Sequence, residues 1–275
     1  MADEGSDIHL MRAERVAKDV YWKRLLIVNV AFLGKPGAKD GEWALVDTGL
    51  PYSADAIRRE KERLGFEGAP SGIVLTHAHF DHVGAVRELA KQWDVPVYAS
   101  EKELPHITGK AAYPTPDPTV GGGGFARLSV MFPTKAIDLG DKARALPADG
   151  TIPGLPEWRW VATPGHSDGH ISLFRESDRM LIAGDAFVTV HQESLGGVLM
   201  QRSAIHGPPA YLTTDWEAAH RSIETLRDLR PHAALTGHGV PVVGEYDCSL
   251  LLDILVDKFE QFAVPKQGKF VDRRP

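Results

Sequence analysis

The sequence predicts an α/β (α+β) chain in which two β-sheets pack together with helices outside, as one domain over residues 1–275. Three observations predict it. Short apolar runs of strand length alternate with amphipathic stretches in both halves of the chain. The second half repeats the style of the first without any short-period sequence repeat. At 275 residues, with 43% hydrophobic and 25% charged residues, the chain is long and apolar enough to bury a full core.

The elements follow in order. "LLIVNVAFL" (25–33) and "WALVDTG" (43–49) read as apolar strands joined across the polar turn "GKPGAKDGE" as a hairpin. "SADAIRREKERLGF" reads as an amphipathic helix with Ser53 as N-cap and Gly65 near its end. "GIVLTH" is a buried strand, and "HVGAVRELAKQW" places Val83, Val86, Leu89, Ala90 and Trp93 on one helix face. "VPVYAS" is a further strand. Residues 105–134, where "AAYPTPDPTVGGGGFARL" holds three prolines and the run Gly121–Gly124, are expected to be irregular, more readily a lid over a site than a linker. "WRWVATPGH", "GHISLFRE" and "RMLIAGDAF" read as strands, with a hairpin turn at Ser177–Arg179. "TDWEAAHRSIETLRDLR" is a helix capped by Thr214 or Asp215, "PHAALTGHG" a short strand, and "LLDILVDKFEQFA" a last helix.

Composition narrows the function. A net charge of -6 without a basic stripe argues against nucleic-acid or membrane-surface binding. The longest apolar run is too short to span a bilayer, and residues 1–22, a polar N-terminal extension, have no apolar signal region. A soluble cytoplasmic protein acting on a small-molecule substrate is expected; oligomeric state, a homodimer included, stays open. With Cys248 as the one cysteine, any metal here must be held by imidazole and carboxylate.

The chemistry concentrates in "THAHFDH". His77 and His79 are two apart on an extended segment and so face the same way, towards one ion. The chain then turns, and Asp81 and His82 aim at a neighbouring point. Two ligands do not fill a coordination sphere. His166, Asp185 and His238 each stand where an apolar strand runs into a glycine turn, "TPGH", "AGD" and "TGH", where rigid elements hold geometry and glycine lets backbone crowd an ion. Asp47 in "LVDTG" is a candidate to hold the far N–H of a ligating imidazole, against the plainer reading of a strand-end turn carboxylate. His170 would either support the site or pack beside it. His9, His106, His191, His206, His220 and His232 have no partner pattern, and His220 reads as structural.

The segments "THAHFDH", "TPGHSDGH", "AGDAF" and "TGHG", preceded by "LVDTG", resemble in order and spacing those of the metallo-β-lactamase fold superfamily, from about Leu25 to Gly244. The resemblance implies a four-layer αβ/βα sandwich with a binuclear site at the edge of its sheets. It implies that His77, His79 and His166 hold one metal, that Asp81, His82 and His238 hold a second, and that Asp185 bridges them. Two divalent ions are therefore expected, zinc first, with iron and manganese also suited to these ligands.

Such a site implies hydrolysis by a metal-bridging hydroxide, with Asp81 orienting it and passing a proton to the leaving group. The resemblance is to the glyoxalase II-like and lactonase-like branch, which cleaves thioesters, lactones and esters. Asp185 departs from the zinc β-lactamases, which place cysteine or serine at or near that position. His79 departs from the flavin-linked di-iron branch. Val188 stands where acyl-homoserine lactonases carry tyrosine, which weakens a strict lactonase assignment. Tyr211, in "HGPPAYLTTDW", would be a substrate contact or a packing aromatic. The alternatives are a phosphodiesterase or other phosphoesterase on the same two metals, or a mononuclear iron oxidoreductase of the persulfide dioxygenase type.

Overall fold

The computed structural model describes residues 12–121, 123–190, 205–244 and 247–271. His9, His191 and the first half of the N-terminal extension lie outside them. Among the described residues eleven strands form two sheets. The first runs β1 (Glu14–Ala17), β2 (Val20–Leu25), β3 (Val28–Leu33), β4 (Ala44–Val46), β5 (Ile73–Val74), β6 (Val97–Ala99), β7 (Ala143–Ala145) in that spatial order. Its first four strands are antiparallel neighbours and the rest pair in parallel. The second has β8 (Arg159–Ala162), β9 (Ile171–Arg175), β10 (Met180–Gly184) and β11 (Ala233–Thr236), in the spatial order β11-β10-β9-β8, and only β10 and β11 are parallel.

Strand periodicity divides the core. On β9 and β10, Leu173 and Ile182 face the first sheet, joining Val46, Val74 and Trp22, while Phe174 and Leu181 face outward. Helices α1 (Ala54–Arg63) and α2 (Val86–Trp93) cover the outer face of the first sheet through Ile57, Val86 and Leu89. Helices α3 (Trp216–Asp228) and α4 (Cys248–Asp257) cover the second through Trp216, Ile223, Leu252 and Leu255. Each of these side chains, fully buried, stabilises the fold by roughly 1.5–3 kcal/mol. The result is helix, sheet, sheet, helix.

Four details differ from expectation. "LLIVNVAFL" is not one strand: a tight turn at Leu26, with φ of 63°, breaks it into the end of β2 and β3. Part of the expected N-terminal extension, Glu14–Ala17, is an edge strand paired with β2. Ser53 precedes α1 but makes no capping hydrogen bond, whereas Asp215 caps α3 by accepting from the Ala218 N–H. Residues 105–134 contain short helical turns at Leu104–Ile107 and Gly124–Leu128, and Ile107 and Ala126 are buried in different cores. That packing is unlike a linker.

Candidate metal centre

The site forms where strand ends of both sheets meet. Asp47 follows β4, His77 to His82 follow β5, His166 follows β8, Asp185 follows β10 and His238 follows β11. All seven candidate ligands are buried. Their donor atoms converge in three groups within 4.8 Å: His77, His79 and His166; His77, His82 and Asp185; and Asp81, His82 and His238. The structure thus brings together every ligand candidate taken from the sequence.

Each imidazole but one has its outer nitrogen held, which aims the other one inward. Thr76 donates its hydroxyl to Asp47 Oδ2 at 2.8 Å, so that hydroxyl accepts from His77 Nδ1 at 3.1 Å. His82 Nδ1 donates to Asp47 Oδ2 at 2.8 Å. The Thr213 hydroxyl donates to the Pro209 carbonyl and accepts from His166 Nδ1 at 3.2 Å. His238 Nδ1 donates to the Ile27 carbonyl at 2.6 Å. Asp47 is therefore a support shared by two rings, and its left-handed φ of 58° is a conformation aspartate tolerates better than most residues. His79 differs: its Nδ1 faces His166 Nε2 at 2.9 Å.

His170 is hydrogen-bonded to the backbone of a candidate ligand. Its Nε2 accepts the backbone N–H of Asp185 at 2.9 Å, while its Nδ1 donates to Thr163. Glycine is needed on both sides. A Cβ at Gly237 would lie 2.0 Å from Asp185 Oδ1, and one at Gly184, where φ is 56°, would lie 2.7 Å from His170 Nε2.

These residues fit a bound cation. His77 Nε2, His82 Nε2, Asp81 Oδ1 and Asp185 Oδ1 are buried without a hydrogen-bond partner, which is costly unless something else meets them. Asp185 Oδ2 lies 3.5 Å from His166 Nε2 and 3.6 Å from His82 Nε2, too long for hydrogen bonds. Those spacings match the edge of a tetrahedron with metal–ligand arms of about 2.1 Å, which is about 3.4 Å.

Electrostatics divides the cluster. Burial holds His77 and His79 well below the usual imidazole range, lowers His166 to about 3 and lowers His170 to about 4. Burial also opposes charge on His82 and His238, but Asp185, with Asp47 beside His82 and Asp81 beside His238, overcomes it and raises both. Burial raises Asp81. Asp185 goes well below the carboxylate range, because His238 and His82 outweigh its burial.

Sequence reasoning missed several supports. Glu103, buried, accepts the Ala78 N–H on Oε2 at 3.1 Å and the Ser167 hydroxyl on Oε1 at 2.6 Å, and Tyr113 donates its hydroxyl to it. One carboxylate thereby ties "THAHFDH" to "TPGHS", and Tyr113 packs on His79 with ring centroids 4.3 Å apart. Asn29 Nδ2 donates to the carbonyls of Thr236 and Gly239, fastening the first sheet to the His238 turn. Thr76 and Thr213 had a signal, as hydroxyls adjoining motif segments. Glu103, in "SEKELP", had none. Tyr211 is buried and stands 5.8 Å from Phe132, which packs on Phe80 of the motif at 4.9 Å, so it belongs to an aromatic cluster beside the cup. His220 stacks on Phe259 away from the site.

Comparison with known proteins gives one consistent picture. Residues 24–238 match the family model of the metallo-beta-lactamase superfamily. The chain is 48% identical over 230 residues to the "Probable metallo-hydrolase YflN" of Bacillus subtilis (strain 168), covering 83% of this chain and 87% of that protein. It is 30% identical over 115 residues to a "Hydroxyacylglutathione hydrolase" of Bdellovibrio bacteriovorus, covering 42% of this chain and 34% of that protein. The fold matches a metallo-beta-lactamase family protein from Thermus thermophilus with a TM-score of 0.59 at 20% identity, covering 90% of this chain and 81% of that one.

Proposed function

Because this chain belongs to the metallo-beta-lactamase superfamily, we propose that its histidine–aspartate cluster holds two divalent metal ions and hydrolyses a small carboxylic thioester, lactone or ester. The observation that carries the reading is the set of orphaned, inward-facing atoms on His77, His82, Asp81 and Asp185, grouped in overlapping triads. His77, His79 and His166 would hold one ion, Asp81, His82 and His238 the other, with Asp185 between them. Bound there, the ions supply a water of lowered pKa and polarise the attacked carbonyl.

The chain's own residues do the rest. Asp47, Thr76, Thr213 and the Ile27 carbonyl hold the protons of four rings on their outer nitrogens, so the inner nitrogens keep lone pairs for ligation. His170 fixes the backbone of Asp185, and with it the carboxylate between the two triads. Asp81 would hold its ion through one carboxylate oxygen, which leaves the other to carry a proton to the leaving atom. Phe80, next to Asp81 in the chain, packs on Phe132, and Phe132 on Phe125, which puts apolar rings along that side of the motif. The packing of Phe132 on Phe80 also supports reading residues 105–134 as a cover of the site.

The test is metal analysis of the purified protein joined to a panel of thioester, lactone, ester and phosphodiester substrates. About two ions per chain and cleavage of a carboxylic ester or thioester are expected. His79→Ala and Asp185→Ala should abolish turnover while the protein remains folded. One iron with oxygen uptake, or cleavage of phosphodiesters alone, would overturn the reading.

A further inference from the structure

A groove of about 690 Å³ opens between α1 and the β2–β3 turn, on the outer side of the metal cup. Its rim touches the cup through the backbone. Leu26 adjoins Ile27, whose carbonyl holds His238, and Leu50 follows Thr48 and Gly49, which hydrogen-bond to the backbone of His82 and Gly84. Two apolar side chains stand at this rim almost wholly in solvent, Leu26 at 81% exposure and Tyr52 at 98%. Both have left-handed φ, 63° and 70°, which L side chains avoid; at Leu26 the two-residue β2–β3 turn imposes it. Strain that displays an unpacked apolar group beside a catalytic centre is a mark of a contact site.

Further along the groove the chemistry changes. Its one acid, Glu60, is buried and already held by Lys23 at 3.2 Å and by Arg63. The guanidinium groups of Arg24 and Arg59 make no ion pair or hydrogen bond among the described residues. One of these arginines stands on β2 and the other on α1, so that in a chain of net charge -6 they bring positive charge to the groove from both sides.

We propose that this groove binds the extended, anionic part of the substrate, its apolar stem against Leu26 and Tyr52 and its phosphate or carboxylate groups on Arg24 and Arg59. This rests on the hydrolase reading and narrows it to thioesters or esters that carry a long anionic arm. The arm lies outside the cup while the scissile carbonyl enters it.

Binding and cleavage test it separately. Inorganic triphosphate is titrated calorimetrically into the metal-loaded wild type and the Arg24→Ala/Arg59→Ala variant at matched metal content, so that any binding at the ions is common to both. Affinity at least tenfold weaker in the variant is expected; equal affinity overturns the proposal. The same two proteins are assayed with S-acetyl-N-acetylcysteamine, which is neutral, acetyl-coenzyme A, which carries phosphates, and S-acetylglutathione, which carries carboxylates. The ratio of kcat/KM for an anionic thioester to that for the neutral one should fall about tenfold, and the thioester that loses more identifies the anion. An unchanged ratio overturns the proposal. Arg221→Ala, an exposed arginine on α3, should leave both readouts unmoved. Leu26→Gly should raise Tm by relieving the strained turn while raising KM for the anionic thioester; a lower Tm would make Leu26 structural and overturn its part. If the wild type cleaves no thioester or ester, the hydrolase reading fails and the triphosphate titration alone decides the groove. If the arginine variant alters sedimentation but not triphosphate affinity, the face joins copies of the chain and the proposal is overturned.

Discussion

Asp47→Asn isolates the role of a carboxylate that is no candidate ion ligand itself yet holds two rings. The substitution keeps size and shape, and asparagine accepts the left-handed backbone at φ 58° as readily as aspartate, so the fold around it should persist. What changes is the hydrogen-bond pattern. Oδ1 accepts the Thr76 N–H, and Oδ2 accepts both the Thr76 hydroxyl and His82 Nδ1. An amide must place its NH2 at one of these positions, and either placement sets donor against donor. With the NH2 at Oδ2, His82 loses the acceptor that fixes its tautomer, and the Thr76 hydroxyl that positions His77 loses its orientation. Changes of this kind cost metal sites roughly 10–100-fold in affinity, about 1.4–2.7 kcal/mol. The assay is competition for zinc against a chromophoric chelator, with the two binding steps resolved. The step involving His82 should weaken by that factor, and turnover should fall with it at limiting metal. Affinities within twofold of wild type in both steps would refute the argument that Asp47 holds the ligands in place.

Other outcomes follow from the same geometry. If two ions are held as proposed, acidification should release them in two stages: His82 and His238 hold protons above the usual imidazole pKa, so their ion meets proton competition from above pH ~6.5, whereas His77, His79 and His166 are lowered and compete only in stronger acid. Metal content after dialysis from pH 8 to pH 5 reads this, and simultaneous loss of both ions would contradict it. Gly237→Ala places a methyl 2.0 Å from Asp185 Oδ1 and should lower turnover at least about tenfold, with about 1–3 kcal/mol of destabilisation in urea melts. Glu103→Gln leaves one acceptor oxygen where there were two, so either Ser167 or the Ala78 and Tyr113 pair meets an NH2, and metal affinity at the proposed His77, His79 and His166 position should fall by about tenfold or more in the zinc competition assay. Cys248, buried and pushed up to about 12, should resist a thiol reagent at pH 8 until the protein is unfolded.

Much of this molecule is legible in its sequence, and the reasons are local. The ligands announce themselves because a strand followed by a turn has only a few ways to aim side chains at a point, so "THAHFDH" carries its geometry in its spacing. The two layers of strands are legible because Leu173 next to Phe174, and Leu181 next to Ile182, are apolar on both faces, as only a strand covered on two sides would be. Three things are hidden. The break at Leu26 is invisible because a left-handed turn made of leucine has no glycine or asparagine to signal it. β1 is invisible because "ERVA" is polar and its exposed edge needs little apolar content. Glu103 is hidden because its partners lie 25 and 64 residues away in the sequence, and a charged residue in a polar stretch reads as solvated until the fold closes around it.

The placement of the ligands also explains why this site tolerates so much buried polarity. Two of the three apolar clusters lie on the outer faces of the two sheets, where they hold the helices. The cup instead spans the edge where the sheets face each other, with Asp47, Asp81 and His77 to His82 on the first and His166, Asp185 and His238 on the second. Asn29 and Ile27 reach from the first sheet to the His238 turn, and Glu103 reaches from the first to Ser167. These hydrogen bonds join the sheets around the rim, while the orphaned atoms inside face one another without a partner. Ions seated there would satisfy those atoms and clamp the two sheets together at the same time. A cluster that would destabilise a core if left empty becomes, on binding, the contact that fixes the relative position of its own two halves. That is why rigidity at this edge and catalytic competence are expected to rise and fall together.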